Sequence, residues 1–186
     1  MRDDLKLIPT AAASERVAEK VPDSAGAYLV PAFVGLGAPY WDPYARGTIV
    51  GLTRSCKREH LVRAALEAIA LQSNDVIQLM QSESNIKIST LRADGGASEN
   101  NLLMQLQADI SNLRVDRPSC IETTAMGASF LAGLTVGYYK STSELSDKFQ
   151  PERAFRPNVT NKWRQTLIEG WHKAIQRSKG WEMDCN

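Results

Sequence analysis

From residue 57 onward the sequence runs helix, strand, helix, strand, helix, and this alternation restricts the fold more than any other feature. Such an order predicts parallel or mixed strands covered by helices. The longest helical pattern spans residues 57–81, where Leu61, Ala65, Ala68, Ile69, Gln72, Val76, Leu79 and Met80 recur at three- and four-residue spacing. That spacing predicts one apolar stripe turned to a core. Glu67 lies off the stripe, which suits a solvated or paired surface carboxylate. Residues 88–93 read as a short strand and 94–98 as the turn after it. A helix is predicted over 100–110 with Leu103, Leu106 and Ile110 on one face, then a strand over 113–116 stopped by Pro118.

The helix predicted over 124–138 is rich in small residues, with Ala128, Ala132, Gly133 and Gly137 spaced to lie close against a neighbour. Residues 140–158 are polar, and 159–179 read as a terminal amphipathic helix carrying Trp163, Leu167, Trp171 and Ile175. Ahead of residue 57 the pattern is more broken. Residues 1–21 read as two helical pieces split at Pro9, the second starting at a Ser14 cap. Strands are expected over 27–30 and 48–52, on either side of the loop GLGAPYWDPYARG, residues 35–47. About four strands result, few for the helices they would carry.

Composition excludes several classes. With 22 Lys+Arg against 21 Asp+Glu the net charge is +1, so neither a nucleic acid nor a membrane surface is an expected partner. Cys56, Cys120 and Cys185 are far apart, odd in number and in no C-x-x-C pair. Neither a disulfide framework nor a zinc ribbon is expected, and a reducing, cytoplasmic setting follows. No apolar run is long enough to span a bilayer and no secretion signal opens the chain. His60 and His172 are the only histidines, and nothing beside either resembles a nucleophile elbow. No metal-ligand spacing, P-loop or dinucleotide fingerprint occurs.

Two local patterns carry chemistry. In Ala93-Asp94-Gly95-Gly96-Ala97-Ser98-Glu99-Asn100-Asn101 a strand ends, two glycines turn the chain and a helix starts. Such a turn offers backbone N–H groups and a positive helix end to an anion or the flat face of a base. It is equally readable as an ordinary β–α turn capped by Asp94 or Ser98. In the 35–47 loop, Tyr40, Trp41 and Tyr44 with Asp42 and Arg46 read either as a polyol pocket or as a loop docked by its aromatics.

Taken together, these segments resemble the FGGY carbohydrate kinases. Gly47, Ile49, Gly51 and Leu52, then His60, Leu61, Ala64, Ala65, Leu66 and Glu67 after a seven-residue spacer, fill the family's second signature. DGGASENN matches the adenosine-side motif of the actin-like ATPase (ribonuclease H-like) fold, and ETTAMGASFLAGLTVGYY matches the helix that follows. GAPYWDPYARG points, within the family, to the glycerol kinases. The resemblance implies an α/β C-terminal kinase domain lacking its first strands: entry helices at 1–26, strands and aromatic loop at 27–56, a nucleotide-side core at 57–139, and a tail and helix at 140–186. It implies ATP/ADP with Mg²⁺, glycerol as substrate of the complete enzyme, and a homo-oligomer in that enzyme. The positions matching nucleotide contacts are Gly96 and Asn100, with Gly95 supporting the turn. The match covers only the last third of a family member, so no catalytic residue is carried over and the chain alone is expected to be inactive. A non-catalytic half-domain pairing with a full-length kinase, or a kinase of another polyol or sugar, is the alternative. In some bacterial members the segment matching 157–166 is gripped by a transport regulator, a pattern this sequence does not keep.

Overall fold

A computed structural model describes residues 1–147 and 151–182. In chain order the elements are helix α1 (Ala13–Ala18), strands β1 (Tyr28–Val30) and β2 (Thr48–Val50), helix α2 (Arg58–Ser84), strand β3 (Thr90–Arg92), helix α3 (Asn101–Ser111), strand β4 (Arg114–Pro118), helices α4 (Thr123–Thr135) and α5 (Thr142–Asp147), strand β5 (Pro151–Phe155) and helix α6 (Asn161–Ser178). A single 3-10 turn, Gly96–Glu99, joins β3 to α3. Cys185 lies outside the described residues, as do Lys148, Phe149 and Gln150 of the polar segment.

The alternation seen in the sequence produces a mixed sheet of order β3-β4-β5. β3 runs parallel to β4, with Leu91 opposite Val115, and β5 runs antiparallel to it, with Phe155 opposite Val115. The crossover from β3 to β4 is α3, as parallel pairing requires. β1 and β2 form a separate antiparallel pair, Leu29 opposite Ile49, which packs on α6. Five strands are described rather than the four expected. β5 and α5 went unforeseen because their segment has little apolar periodicity, and β5 exposes all but Phe155.

Helix α2 occupies the middle of the molecule, packed against α1, α3, β1 and α6. This corrects the single-stripe expectation. A helix covered from several sides buries a broad arc, here including Val62, Leu66, Ala70, Leu71 and Ile77, while Ile69 and Met80 of the predicted stripe are exposed. Glu67 is likewise buried, with 2% exposure, and is paired with Arg63 one turn earlier at 3.0 Å. His60 caps the helix, its Nδ1 accepting from Lys57 N at 3.0 Å. α2 and α3 both end on an asparagine in the left-handed region, Asn85 at φ 54° and Asn112 at φ 55°, a conformation asparagine tolerates at a helix end.

The other amphipathic helices bury the faces their spacing predicts. Leu103, Leu106 and Ile110 of α3 and Trp171 and Ile175 of α6 join one core with Val30, Val62, Leu71 and Val115. Two expectations fail. Residues 1–8 contain no helix, and α1 ends at Ala18; Ser14 lies inside it, its hydroxyl donating to Ala11 O at 2.6 Å rather than capping. The small-residue helix α4 buries none of its residues. Its glycines differ: a Cβ at Gly127 would meet nothing within 4 Å, whereas one at Gly133 would lie 2.6 Å from the Tyr139 ring just beyond the helix.

Candidate functional site

The turn between β3 and α3 is built by backbone constraints. Ala93 N donates to Asp116 O at 3.0 Å, which extends the parallel ladder one step past β3. Gly95 then takes φ 78° and ψ 169°, a left-sided conformation that a residue with a Cβ adopts only under strain. Its N–H donates to Ile121 O at 3.0 Å, and its carbonyl accepts from both Ser98 N at 2.9 Å and Ser98 Oγ at 2.7 Å. Ser98 is thus the buried clamp of the turn rather than a helix cap. The cap is Asn100, whose side-chain oxygen accepts from Leu103 N at 2.9 Å.

Three contacts hold this turn from outside it. Asn100 Nδ2 donates to Ser14 Oγ at 3.2 Å, and Asn101 N donates to Glu15 Oε1 at 3.1 Å, so α1 is tied to the start of α3. A carboxylate there also meets the positive end of the helix. Below the turn, Arg117 of β4 is 7% exposed. Its Nη1 donates to Ser98 O at 3.0 Å, Glu99 O at 3.2 Å and Asn101 Oδ1 at 3.1 Å, and Glu152 balances its charge at 3.1 Å. The sequence reading took Ser14 only as a helix cap and did not single out Glu15 or Arg117. No local pattern marks an arginine beside Pro118 as a brace for a turn nineteen positions away.

Gly96 and Asn100 line one cavity of about 540 Å³ with Ala11, Leu66, Ile69 and Leu103. Gly95 stands behind the turn and is not part of that lining. The cavity is a mainly apolar slot with backbone and amide groups on one rim, suited to a flat aromatic group. A Cβ on Gly95 or Gly96 would meet nothing within 4 Å, so the space over the glycines is open for a ligand to approach.

The aromatic loop behaves as a docked loop. Tyr40 points inward, its hydroxyl donating to Asp75 at 2.7 Å, while Trp41 and Tyr44 are 75% and 47% exposed. Asp42 accepts from Tyr44 N, Ala45 N and, across the fold, Gly180 N at 2.9 Å. The Gly180 bond, followed by those from Tyr44 and Ala45, holds its carboxyl below the ordinary aspartate value despite some desolvation. Arg46 pairs with Glu182. Asp75 also accepts from Trp171 Nε1 at 2.7 Å and faces His172 Nε2 at 3.5 Å. Burial, then the bond to and charge of Asp75, raises the Tyr40 phenol well above the ordinary tyrosine value. Among the described residues no three His, Cys, Asp or Glu side chains converge as a metal site, and Cys56 and Cys120 are free thiols.

Comparisons with known proteins find relatives along most of the chain. The C-terminal domain of the FGGY family of carbohydrate kinases matches residues 2–136. A glycerol kinase of Aeromonas salmonicida is 58% identical over 97% of this chain and 36% of its own length. Glycerol kinase 2 of Thermotoga maritima is 54% identical over 98% of this chain and 37% of its own. Among solved structures, the Plasmodium falciparum glycerol kinase with ADP superposes at TM-score 0.87, with 35% identity over 95% of this chain and 35% of that one. A ligand-bound xylulose kinase from Lactobacillus acidophilus superposes at 0.80 with 27% identity over 96% of this chain and 37% of its own. The chain therefore spans little more than a third of the length of the relatives it matches.

Proposed function

The chain belongs to the FGGY family of carbohydrate kinases, and we propose that it is the nucleotide-side, C-terminal portion of a glycerol kinase. The complete enzyme would move the γ-phosphoryl group of ATP to a terminal hydroxyl of glycerol, giving glycerol 3-phosphate. The observation that carries this reading is the open double-glycine turn at the start of α3, in a chain 52–58% identical to glycerol kinases. In this proposal the adenosine of ATP or ADP lies in the slot beside Leu66 and Ile69, the Gly96 backbone lies against it, and Asn100 is on its rim. Gly95 supplies the turn, and Arg117 holds it in place from β4. A solved relative that carries ADP supports the nucleotide part of the reading.

The division of the chain proposed here keeps 1–26 as entry, 27–56 as strands and aromatic loop, 57–139 as nucleotide-side core and 140–186 as tail. Mg²⁺ is proposed to accompany the nucleotide, held largely by its phosphates and water. Phosphoryl transfer rests on positioning and on neutralising charge from both sides of a cleft. A chain holding one side is proposed to bind nucleotide without turning it over. No helix among the described residues is long and apolar enough to cross a membrane, and a cytoplasmic homo-oligomer is proposed for the complete enzyme. Relatives that are themselves glycerol kinases do not favour the reading as a separate pairing module.

Calorimetric titration of this chain with ADP tests the proposal. A Cβ at Gly96 has free space, so Gly96→Arg is expected to fold and to act by filling the slot. Saturable binding by the parent chain, weakened about a hundredfold or more by Gly96→Arg, is the expected result. A folded chain that binds no ADP, or binds it equally with the arginine in place, overturns the assignment.

A further inference from the structure

A second cavity lies elsewhere and takes no part in the nucleotide reading. It is a cleft of about 900 Å³ between the C-terminal halves of α2 and α3 and the outer face of α6. α3 separates it from the glycine turn: Asn100 caps the helix at the turn, while Ser111 and Asn112 line the cleft at the far end. Eleven residues at about 1.5 Å each place the two sites about 16 Å apart.

The ionisable side chains that line the cleft include Lys87, Arg164, His172 and Asp75. The one carboxylate is already engaged, because Asp75 Oδ2 accepts from both Tyr40 and Trp171 and Oδ1 faces His172. The cationic side is not matched in this way. Arg164 on the first turn of α6 bonds Asn161 through Nη2, while its Nη1 is buried with no hydrogen-bond partner among the described residues. A buried guanidinium nitrogen without an acceptor is costly, and an anionic oxygen is the partner that relieves that cost best. Lys87 is exposed at the end of the same cleft, where it adds a second positive charge. The volume is that of a site for a small metabolite.

We propose that this cleft binds a small phosphate-bearing molecule, with Arg164 and Lys87 as its charged contacts. Two cations on one cleft favour a dianion over a monocarboxylate, and the guanidinium fork suits phosphate oxygens. Gln78, Ser82 and Asn112 on the same walls offer hydrogen bonds to the remainder of such a molecule. The site is independent of the nucleotide assignment and stands whether or not ADP binds.

The test is calorimetric titration of the chain with inorganic phosphate at constant ionic strength, with and without ADP, and with acetate as the monoanion. Saturation in the millimolar range or tighter is expected, unaffected by ADP and absent for acetate. Arg164→Gln and Lys87→Gln should each weaken it about tenfold. Arg177→Gln, on the same helix but outside the cleft, should leave it unchanged. Lys87→Gln changes an exposed side chain and keeps the test valid if Arg164→Gln does not fold. Absence of saturation, competition by ADP, or unchanged binding in Arg164→Gln and Lys87→Gln overturns the proposal.

Discussion

Glu67 shows how much one side chain depends on what covers it. Burial dominates its environment and raises its carboxyl above the ordinary glutamate value, with Ser24 and Arg63 pulling the other way. A carboxyl raised in the folded state stabilises the fold below the unfolded value, and that contribution is lost as pH rises through the folded value. Relative to Glu67→Gln, the parent chain should therefore lose stability as pH rises from about 4 towards neutrality. Urea unfolding of both proteins across that range measures the difference, and a difference that does not change with pH sinks the argument. At the candidate site the residue scale divides in the same way. Gly95 and Gly96 were legible because a double glycine between a strand and a helix is a local pattern, whereas Asn100 came from the family resemblance and the cap itself was expected at Asp94 or Ser98. Arg117, Ser14 and Glu15 reach the turn from other elements and leave no such trace.

Among the elements, the β1–β2 pair has the tightest steric demand. Gly51 closes it at φ 79°, and a Cβ there would lie 2.1 Å from Gly26 O, a backbone atom that cannot swing aside. Gly51→Ala is expected to cost about 2–4 kcal/mol, the sum of backbone strain and the clash. Gly137 has a similar φ of 75° but nothing within 4 Å of a Cβ, so Gly137→Ala should cost only about 1–2 kcal/mol from the left-handed backbone. Chemical denaturation of the two variants separates the terms, and equal losses would show that the contact at Gly51 is unimportant. The same scale explains which helices were read well. α6 meets the core on one side, so its periodicity points at it, whereas α3 buries every residue from 106 to 111 and its predicted stripe is only part of that surface. α2 is packed on several sides, and its burial follows from neighbours that the spacing cannot name.

For the whole molecule, the unresolved balance is α4. Leu131 and Tyr138 at its end are 68% and 76% exposed, and Val136 is 79% exposed. β3 and β5 are the two edges of the β3-β4-β5 sheet. Exposed apolar surface together with unpaired strand edges in one molecule favours association between copies. Sedimentation velocity of the purified chain should show a sedimentation coefficient that rises with concentration, reduced in a Leu131→Glu, Tyr138→Ser variant. A single monomeric species at every concentration would refute this.

By itself the sequence determined the class of fold, the order of its central elements, the faces of α3 and α6, and the glycine turn, because each is encoded within a few consecutive residues or one helical repeat. The family resemblance was equally legible, since a signature is a pattern of neighbours along the chain. Only the tertiary structure decided that Glu67 is buried, that Asp75 joins Tyr40 to Trp171, that Arg117 braces the turn, and that α4 buries none of its residues. Those outcomes depend on which distant surfaces meet. Burial, charge pairing and the satisfaction of polar groups are properties of that meeting rather than of any single segment.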